Sequence, residues 1–189
     1  KVSNSPTDGY VLTAQSGNTG GLTWAEASGG GGGGLTSDAQ GNTVGGTNAG
    51  DSFSGTSALK NTLIGYNAGT AIDTGDENTF LGYDAGAGNT TGGLNIFIGS
   101  NSAKTNGGAS QNVAVGSYSL YQQNHSTIQG STTIGHYSLY SQTTGQSNTV
   151  LGRFTAYNLT TGEGNVIIGS LASSFNSAAI TTGDDNIII

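Results

Sequence analysis

The chain has 189 residues, among them 35 Gly, one Pro, no Cys and no Met, and only 8% of its residues are charged. Its formal net charge of −7, with four Lys and Arg in total, disfavours nucleic acid and anionic membranes as partners, because both attract clustered cations. Hydrophobic residues make up 33% of the chain, which is too few for a compact core of large side chains. We therefore expect repeated local structure, no nucleic-acid partner and no membrane insertion.

The first section of the chain, residues 1–28, is predicted to be a connector that contains a β-hairpin. Two β-favouring stretches, YVLTA (10–14) and GLTWA (21–25), flank the loop-forming sequence QSGNTG. Residues 29–41 follow, and their run of six Gly indicates a flexible linker, with polyglycine packed in a subunit interface as the alternative. We assign the remaining residues, 42–189, to a repeat region.

The repeat region is organised by an Asn that is followed four residues later by Gly. Anchors such as Asn61, Asn78 and Asn95 are 17 residues apart, and short insertions lengthen three of the joints between repeats. We number each repeat from its anchor, which is position 0. The last repeat stops one residue before its expected Gly, so we expect the natural chain to continue beyond 189. The anchors are Asn42, Asn61, Asn78, Asn95, Asn112, Ser131 in place of Asn, Asn148, Asn165 and Asn186.

Every repeat has a similar internal pattern. Positions 2 and 3 are apolar in most repeats, position 4 is Gly, and position 7 is Ala, Ser or Thr. A Thr-Gly pair recurs before the next anchor, as in Thr74-Gly75 and Thr161-Gly162. β-Branched and aromatic residues favour strands, whereas Gly and Asn suit corners with positive φ. The pattern predicts a short strand, a Gly corner, a second short strand and a turn, stacked as an all-β solenoid or β-roll.

Alternation along a strand predicts which apolar positions face inward. Positions 3 and 7 share one parity, so we expect both to line the coil interior and position 2 to face outward. An exposed apolar row is an aggregation hazard unless another copy covers it, and we therefore expect a parallel homotrimer, with a single-chain solenoid of wide triangular section as the alternative. The predicted interior residues are Ile64, Leu81, Ile98, Val115, Ile134, Leu151 and Ile168, and the predicted intersubunit seam consists of Leu63, Phe80, Phe97, Val150 and Ile167.

The ionisable residues predict no catalytic, cofactor or metal site. His136 lies at position 5, which holds Tyr, Ser or Arg in other repeats, and this variety indicates a surface residue. His125 lies in the insertion YQQNHSTIQ, where we expect a solvated loop. Acidic residues cluster at turns without a calcium-binding spacing. We therefore expect a protein that is not an enzyme and has no cofactor. The acidic turn residues are Asp73, Asp76, Glu77, Asp184 and Asp185.

Aromatic residues recur at positions 6 and 9 of three successive repeats, and they predict two ladders along one side of the stack. Flat ring faces suit stacking on sugar rings, so one interpretation is a strip that binds a glycan on a host or neighbouring-cell surface. The other interpretation is that the rings stabilise neighbouring coils or subunits. The six residues are Tyr118, Tyr121, Tyr137, Tyr140, Phe154 and Tyr157.

The repeats NTLIGYNAG (61–69), NTFLGYDAG (78–86) and NVIIGS (165–170), joined by TTGxxN turns, resemble the Gly/Asn-rich repeats of bacteriophage tail fibres. They are more distantly similar to the head repeats of trimeric autotransporter adhesins. The resemblance implies a homotrimeric extracellular fibre. We expect the shaft of a phage tail fibre involved in host-surface attachment, with a bacterial adhesin or self-assembling surface filament as the alternative. A polysaccharide-degrading tailspike is the less favoured third interpretation.

Overall fold

The computed structural model describes residues 10–13, 23–26, 35–53, 57–123, 130–174 and 180–189 of the chain. These ranges contain strands and turns, and no helix capable of spanning a membrane occurs in them. The chain divides into two units, Lys1–Gly32 and Gly33–Ile189. In the first unit, β1 (Tyr10–Thr13) pairs antiparallel with β2 (Thr23–Glu26), in the segment for which the sequence predicts a hairpin.

In the described part of the second unit, ten short strands form one sheet, and their order in space follows their order along the chain. The first pair, β3 and β4, is antiparallel, and each later pair up to β12 is parallel. Equivalent residues lie opposite each other, as Thr79 does with Thr62 and with Ile96. The strands are β3 (Thr36–Ser37), β4 (Thr43–Gly45), β5 (Thr62–Ile64), β6 (Thr79–Leu81), β7 (Ile96–Ile98), β8 (Val113–Val115), β9 (Thr132–Ile134), β10 (Thr149–Leu151), β11 (Val166–Ile168) and β12 (Ile187–Ile188).

This arrangement is a β-solenoid with a repeat of about 17 residues, and it confirms the predicted fold class. The nine parallel strands extend roughly 40 Å along the stack at a spacing of about 4.8 Å. The sheet begins within the segment assigned to the linker, because Thr36 and Ser37 form β3, which pairs antiparallel with β4. The glycine run at 29–34 lies outside the described residues.

Each described coil contains one strand rather than the two that the sequence predicts. After the Gly corner, positions 6 and 8 adopt left-handed backbone, with φ of 57° at Asn101 and 45° at Ala103. Backbone hydrogen bonds still join the coils on this side. The N–H of Asn101 donates to the carbonyl of Tyr83 at 2.7 Å, and the N–H of Ala103 donates to the carbonyl of Ser119 at 2.8 Å. The second side is therefore a stack of aligned turns with paired backbone groups.

The strand residues face the opposite way from the sequence prediction. Position 2 forms the core, and from β5 to β11 its side chains are 0–1% exposed, so the predicted intersubunit seam lies inside the single chain. Position 3 faces outward and is nowhere buried, so the predicted interior is on the surface. The buried residues are Leu63, Phe80, Phe97, Val150 and Ile167, and the outward residues are Ile64, Leu81, Ile98, Val115, Ile134, Leu151 and Ile168.

The prediction is wrong because alternation stops at the Gly corner. Positions 7 and 8 are consecutive and both face the interior, as Ser102 and Ala103 show with 0% exposure each. A regular strand does not allow two consecutive residues to face the same side. Position 7 lines the interior as predicted. Because a turn separates it from the strand, its direction does not indicate which way position 3 faces.

The Gly at position 4 is required by backbone conformation and by stacking. Its φ lies between 116° at Gly46 and 144° at Gly135, a region that L side chains rarely adopt. A Cβ placed on Gly82 would lie 2.6 Å from the carbonyl oxygen of Gly99 in the next coil. Successive coils therefore approach too closely at this corner for a side chain to fit.

The anchor Asn side chains form a buried hydrogen-bonded ladder. The amide of Asn78 donates to Oδ1 of Asn61 at 3.0 Å, and the backbone N–H of Asn78 donates to the same oxygen at 3.0 Å. The amide also donates to the carbonyl of Gly92 at 2.9 Å, which ties the end of the coil to its start. Buried polar groups are costly when unpaired, so this ladder explains why Asn recurs at the anchor.

Ser131, which replaces one anchor Asn, is compensated by Gln142 at position 11. The Gln142 amide donates to Ser131 Oγ at 3.3 Å, and Gln142 Oε1 accepts from the amide of Asn148 at 3.0 Å. The backbone N–H of Asn148 donates to Ser131 Oγ at 3.3 Å. A second side chain thus supplies the amide that the ladder lacks at this coil.

The core volume is kept by pairing position 2 with position 8. The large Phe80 is matched by Gly86, where an added Cβ would overlap the Phe80 ring. Three repeats later, the small Thr133 at position 2 is matched by Leu139 at position 8, and both are 0% exposed. Because protein interiors are close-packed, a large residue at one position requires a small one at the other.

Candidate binding surfaces

The outward side chains of the parallel strands form an uncharged stripe that we call the outer sheet face. It consists of positions 1 and 3 of strands β5 to β11, and none of its side chains is buried. Leu81 and Leu151 are each 46% exposed, and Ile134 is 42% exposed. From β5 to β11 the stripe is about 30 Å long. Its residues are Thr62, Ile64, Thr79, Leu81, Ile96, Ile98, Val113, Val115, Thr132, Ile134, Thr149, Leu151, Val166 and Ile168.

The aromatic residues at positions 6 and 9 stack in two ladders on the turn side of the coils, and we call them together the aromatic strip. In the first ladder, Tyr137 stacks on Tyr118 with ring centroids 4.8 Å apart and on Phe154 at 5.1 Å, with planes 2° apart in both pairs. In the second, Tyr140 stacks on Tyr121 at 5.0 Å and on Tyr157 at 4.9 Å. These separations match the coil spacing, so the register of the solenoid imposes the stacking.

The stacking covers the ring faces in the middle of each ladder. Tyr137 and Tyr140 each have a ring on both sides, so a sugar ring has no access to either of their faces. The strip presents ring edges and phenol hydroxyls to the outside instead. Each stacked pair contributes about 0.5–1.5 kcal/mol, which supports the interpretation that the rings stabilise neighbouring coils. Glycan binding stays a prediction, and it requires contacts other than stacking on these faces.

The backbone under the first ladder is unusual for aromatic residues. Tyr118, Tyr137 and Phe154 have left-handed φ of 55–57°. The same position holds Asn48 and Asn67 in earlier coils, and Asn adopts this conformation more readily than bulky residues do. The rings are therefore held in place at a conformational cost that their stacking offsets.

His136 and Arg153 lie at position 5 of successive coils, beside the first ladder. The His136 ring meets the Tyr137 ring edge-on with centroids 4.4 Å apart. The guanidinium carbon of Arg153 lies 5.0 Å from the centroid of the Phe154 ring, within range of a cation–π contact. Both side chains are exposed, as the variety at position 5 predicts. His125, the other histidine, lies outside the described residues.

Two lysines form ion pairs between neighbouring coils. Lys60 Nζ lies 3.1 Å from Glu77 Oε1, and Lys104 Nζ lies 2.7 Å from Asp84 Oδ2. The hydrogen bond and charge of Asp84 raise the pKa of Lys104, although burial opposes this. Arg153 has no ion-pair partner among the described residues. In the same ranges, no group of three His, Asp or Glu is placed to hold a metal ion.

The hydroxyl of Tyr140 is a hydrogen-bond donor at neutral pH. Burial raises the pKa of Tyr140 above its ordinary value of 10.0, and the neighbouring charges of Tyr157 and Tyr121 raise it further. The phenol therefore stays protonated over a wider pH range than a solvated tyrosine does.

Comparison with protein-family models, with curated proteins and with solved structures finds no match for this chain. The functional interpretation therefore depends on the two surfaces themselves. The sequence prediction missed the outer sheet face because it placed position 3 inside. Two signals in the sequence identify the true interior. The largest apolar residues, Phe80 and Phe97, occupy position 2. Position 8 is small in those repeats, and it is Leu, at Leu120 and Leu139, where position 2 is small.

Proposed function

We propose that this chain is a shaft segment of an extracellular structural fibre and that three copies associate through their outer sheet faces. The observation that carries the proposal is the exposure of Leu81, Ile134 and Leu151 on a regular, uncharged stripe. Covering apolar surface contributes roughly 25 cal/mol per Å², and a continuous stripe of this kind on a single chain marks an interaction site.

A parallel arrangement of copies fits the repeat. Every coil presents the same two outward positions, so chains aligned in parallel bring equivalent aliphatic residues to the same level along a common axis. Closed symmetric association is the usual form of homo-oligomers, and it leaves no apolar stripe uncovered. In this arrangement the seam consists of position 3, with Leu81 and Leu151 at its centre, and the residues of position 2 keep their place in the core.

The proposed work of the fibre is mechanical. The Asn ladder, the backbone bonds between coils and the stacked rings each repeat along the axis, so the stack resists bending and local opening. A rod of this kind suits the projection of an attachment tip from a phage tail. A bacterial adhesin or surface filament is the alternative, since it requires the same rod. The proposal assigns no catalytic role and no cofactor to the chain.

A single-cysteine experiment tests the seam, because the chain contains no Cys. Leu81→Cys places a thiol on the outer sheet face, and Thr144→Cys places one at an exposed turn as the matched control. With a trifunctional maleimide, we expect Leu81→Cys to give a covalent product of three chains and Thr144→Cys to give single-chain adducts. Products of one or two chains from Leu81→Cys would contradict the trimer.

A further inference from the structure

We infer that the edge of the aromatic strip binds a carboxylate-bearing glycan through Arg153 and the phenol hydroxyls of Tyr137 and Tyr140. This inference names the partner class of an attachment surface, and its biological use rests on the proposed function. The site spans two successive coils. Arg153 precedes Phe154 in one coil, and Tyr137 and Tyr140 lie in the coil before it.

The orientation of the rings in the aromatic strip favours an anionic ligand. Because the faces of Tyr137 and Tyr140 are covered by their neighbours, a ligand meets their edges. The edge of an aromatic ring is the positive part of its quadrupole. A surface built of ring edges therefore attracts anionic groups and hydrogen-bond acceptors, whereas a neutral sugar that binds by stacking needs an open face.

The guanidinium of Arg153 supplies a positive charge beside the rings. Lys60 and Lys104 are paired with carboxylates, whereas Arg153 has no carboxylate partner among the described residues. Its guanidinium is held near the ring of Phe154, and a cation–π contact orients the group without neutralising it. A guanidinium presents parallel N–H donors that match the two oxygens of a carboxylate. Arg153 is thus an oriented cation available to an anionic ligand.

The phenol hydroxyls of Tyr137 and Tyr140 offer hydrogen-bond partners to a sugar. Tyr137 and Tyr140 are half-buried, and their rings lie 5.3 Å apart and tilted by 47°. No described residue hydrogen-bonds to either hydroxyl. A phenol both donates and accepts, which suits the hydroxyl groups of a sugar. The ladder repeats these groups at about 4.8 Å along the stack, a length comparable to one sugar residue of an extended polysaccharide.

Other polyanions and acidic peptides fit this surface less well. Single-stranded nucleic acid stacks its bases on open aromatic faces and needs clustered cations for its phosphates, and neither is offered here. A peptide strand binds by adding to an open sheet edge. On this side the backbone is already paired between coils, as the N–H of Tyr137 donates to the carbonyl of Ser117 at 3.0 Å.

The test is a calorimetric titration of the full chain with an oligogalacturonate and with its methyl ester, which has the same rings without the charge. We expect the acid to bind at least roughly tenfold more tightly than the ester, and salt to weaken its binding. Arg153→Gln is expected to weaken binding roughly tenfold or more. Lys60→Gln, which removes an exposed cation elsewhere, is the matched control and is expected to bind as the unmodified chain does.

Tyr140→Phe provides a second variant, since it keeps the stacked ring and removes only the hydroxyl. We expect it to bind the oligogalacturonate several-fold more weakly. Equal binding of acid and ester, unchanged binding by Arg153→Gln, or tighter binding of a single-stranded oligonucleotide would overturn the inference. The native mass of the same samples separates the two proposals, because a trimer that does not bind the acid overturns this inference and leaves the proposed function standing.

Discussion

Phe80 and Leu81 are neighbours in β6 and lie on opposite sides of the sheet. Phe80 is 0% exposed and stacks on Phe97 with ring centroids 4.6 Å apart, whereas Leu81 is 46% exposed. We expect Phe80→Ala to lower the free energy of unfolding by about 3–5 kcal/mol, because it leaves a cavity in the core. Leu81→Ala is expected to lower it by about 1 kcal/mol or less in dilute solution. Urea unfolding of both variants, at concentrations where each is a single chain, checks this, and a larger loss for Leu81→Ala than for Phe80→Ala would contradict the placement of Phe80 inside and Leu81 outside.

The match between positions 2 and 8 predicts a compensating pair of substitutions. Gly86→Leu alone is expected to destabilise the fold, because even a Cβ at Gly86 would overlap the Phe80 ring. Adding Phe80→Ala reproduces the natural combination of Ala114 with Leu120. The loss in free energy of unfolding of the double variant is therefore expected to be smaller than the sum of the two single losses by at least about 1 kcal/mol.

A double-mutant cycle measured by urea unfolding tests this pair. The matched control combines Gly86→Leu with Val150→Ala, which lies in a distant coil, and its effects are expected to add within about 0.5 kcal/mol. A coupling of the Phe80 pair no larger than that of the control would show that the two positions do not share one volume.

The replacement of an anchor Asn by Ser131 predicts a second exchange. Gln142→Leu is expected to cost about 1–3 kcal/mol, because the amide of Asn148 loses a buried partner. Ser131→Asn together with Gln142→Leu reproduces the combination of Asn148 with Leu159 and is expected to recover most of the loss. Thermal unfolding compares the variants, and a double variant no more stable than Gln142→Leu would refute the compensation.

Stability is expected to fall in alkaline solution. The pKa of Tyr140 and that of Lys104 are both raised in the folded chain, from ordinary values of 10.0 and 10.5. A group whose pKa is higher in the folded than in the unfolded chain adds to the free energy of unfolding. This contribution is fully present below the unfolded pKa and is lost as pH rises through the folded pKa. Urea midpoints between pH 8 and pH 12 are expected to decline above about pH 10. Tyr140→Phe should remove part of the decline, and an unchanged slope in that variant would contradict the assignment.

The period, the anchor and the Gly corner could be predicted from the sequence because each follows from a requirement at a single position. Asn78 must satisfy buried polar groups, and Gly82 must allow close approach of the next coil. The direction of Phe80 and Leu81 could not be predicted in this way, because it depends on the path of the chain through the turn. The left-handed backbone at position 6 could not be predicted from residue type, because that position holds Asn101 in one repeat and Tyr118 or Leu171 in others.

The two ladders of the aromatic strip could be predicted from the spacing of Tyr118, Tyr137 and Phe154 alone. Spacing does not reveal that the ring faces cover one another, because this depends on the distance and angle between coils. The role of Gln142 was not predicted either, since its partner Ser131 is eleven residues away and lies across the interior. Predictions therefore succeeded where one residue type decides the outcome and failed where packing between distant residues does.

The native mass of the purified chain, measured by light scattering behind a sizing column, decides whether the outer sheet face joins copies of this protein. We expect the mass of three chains of 18.7 kDa each, and the mass of one chain after Leu81→Asp and Leu151→Asp are introduced together. A single-chain mass for the unmodified protein would contradict the proposed trimer.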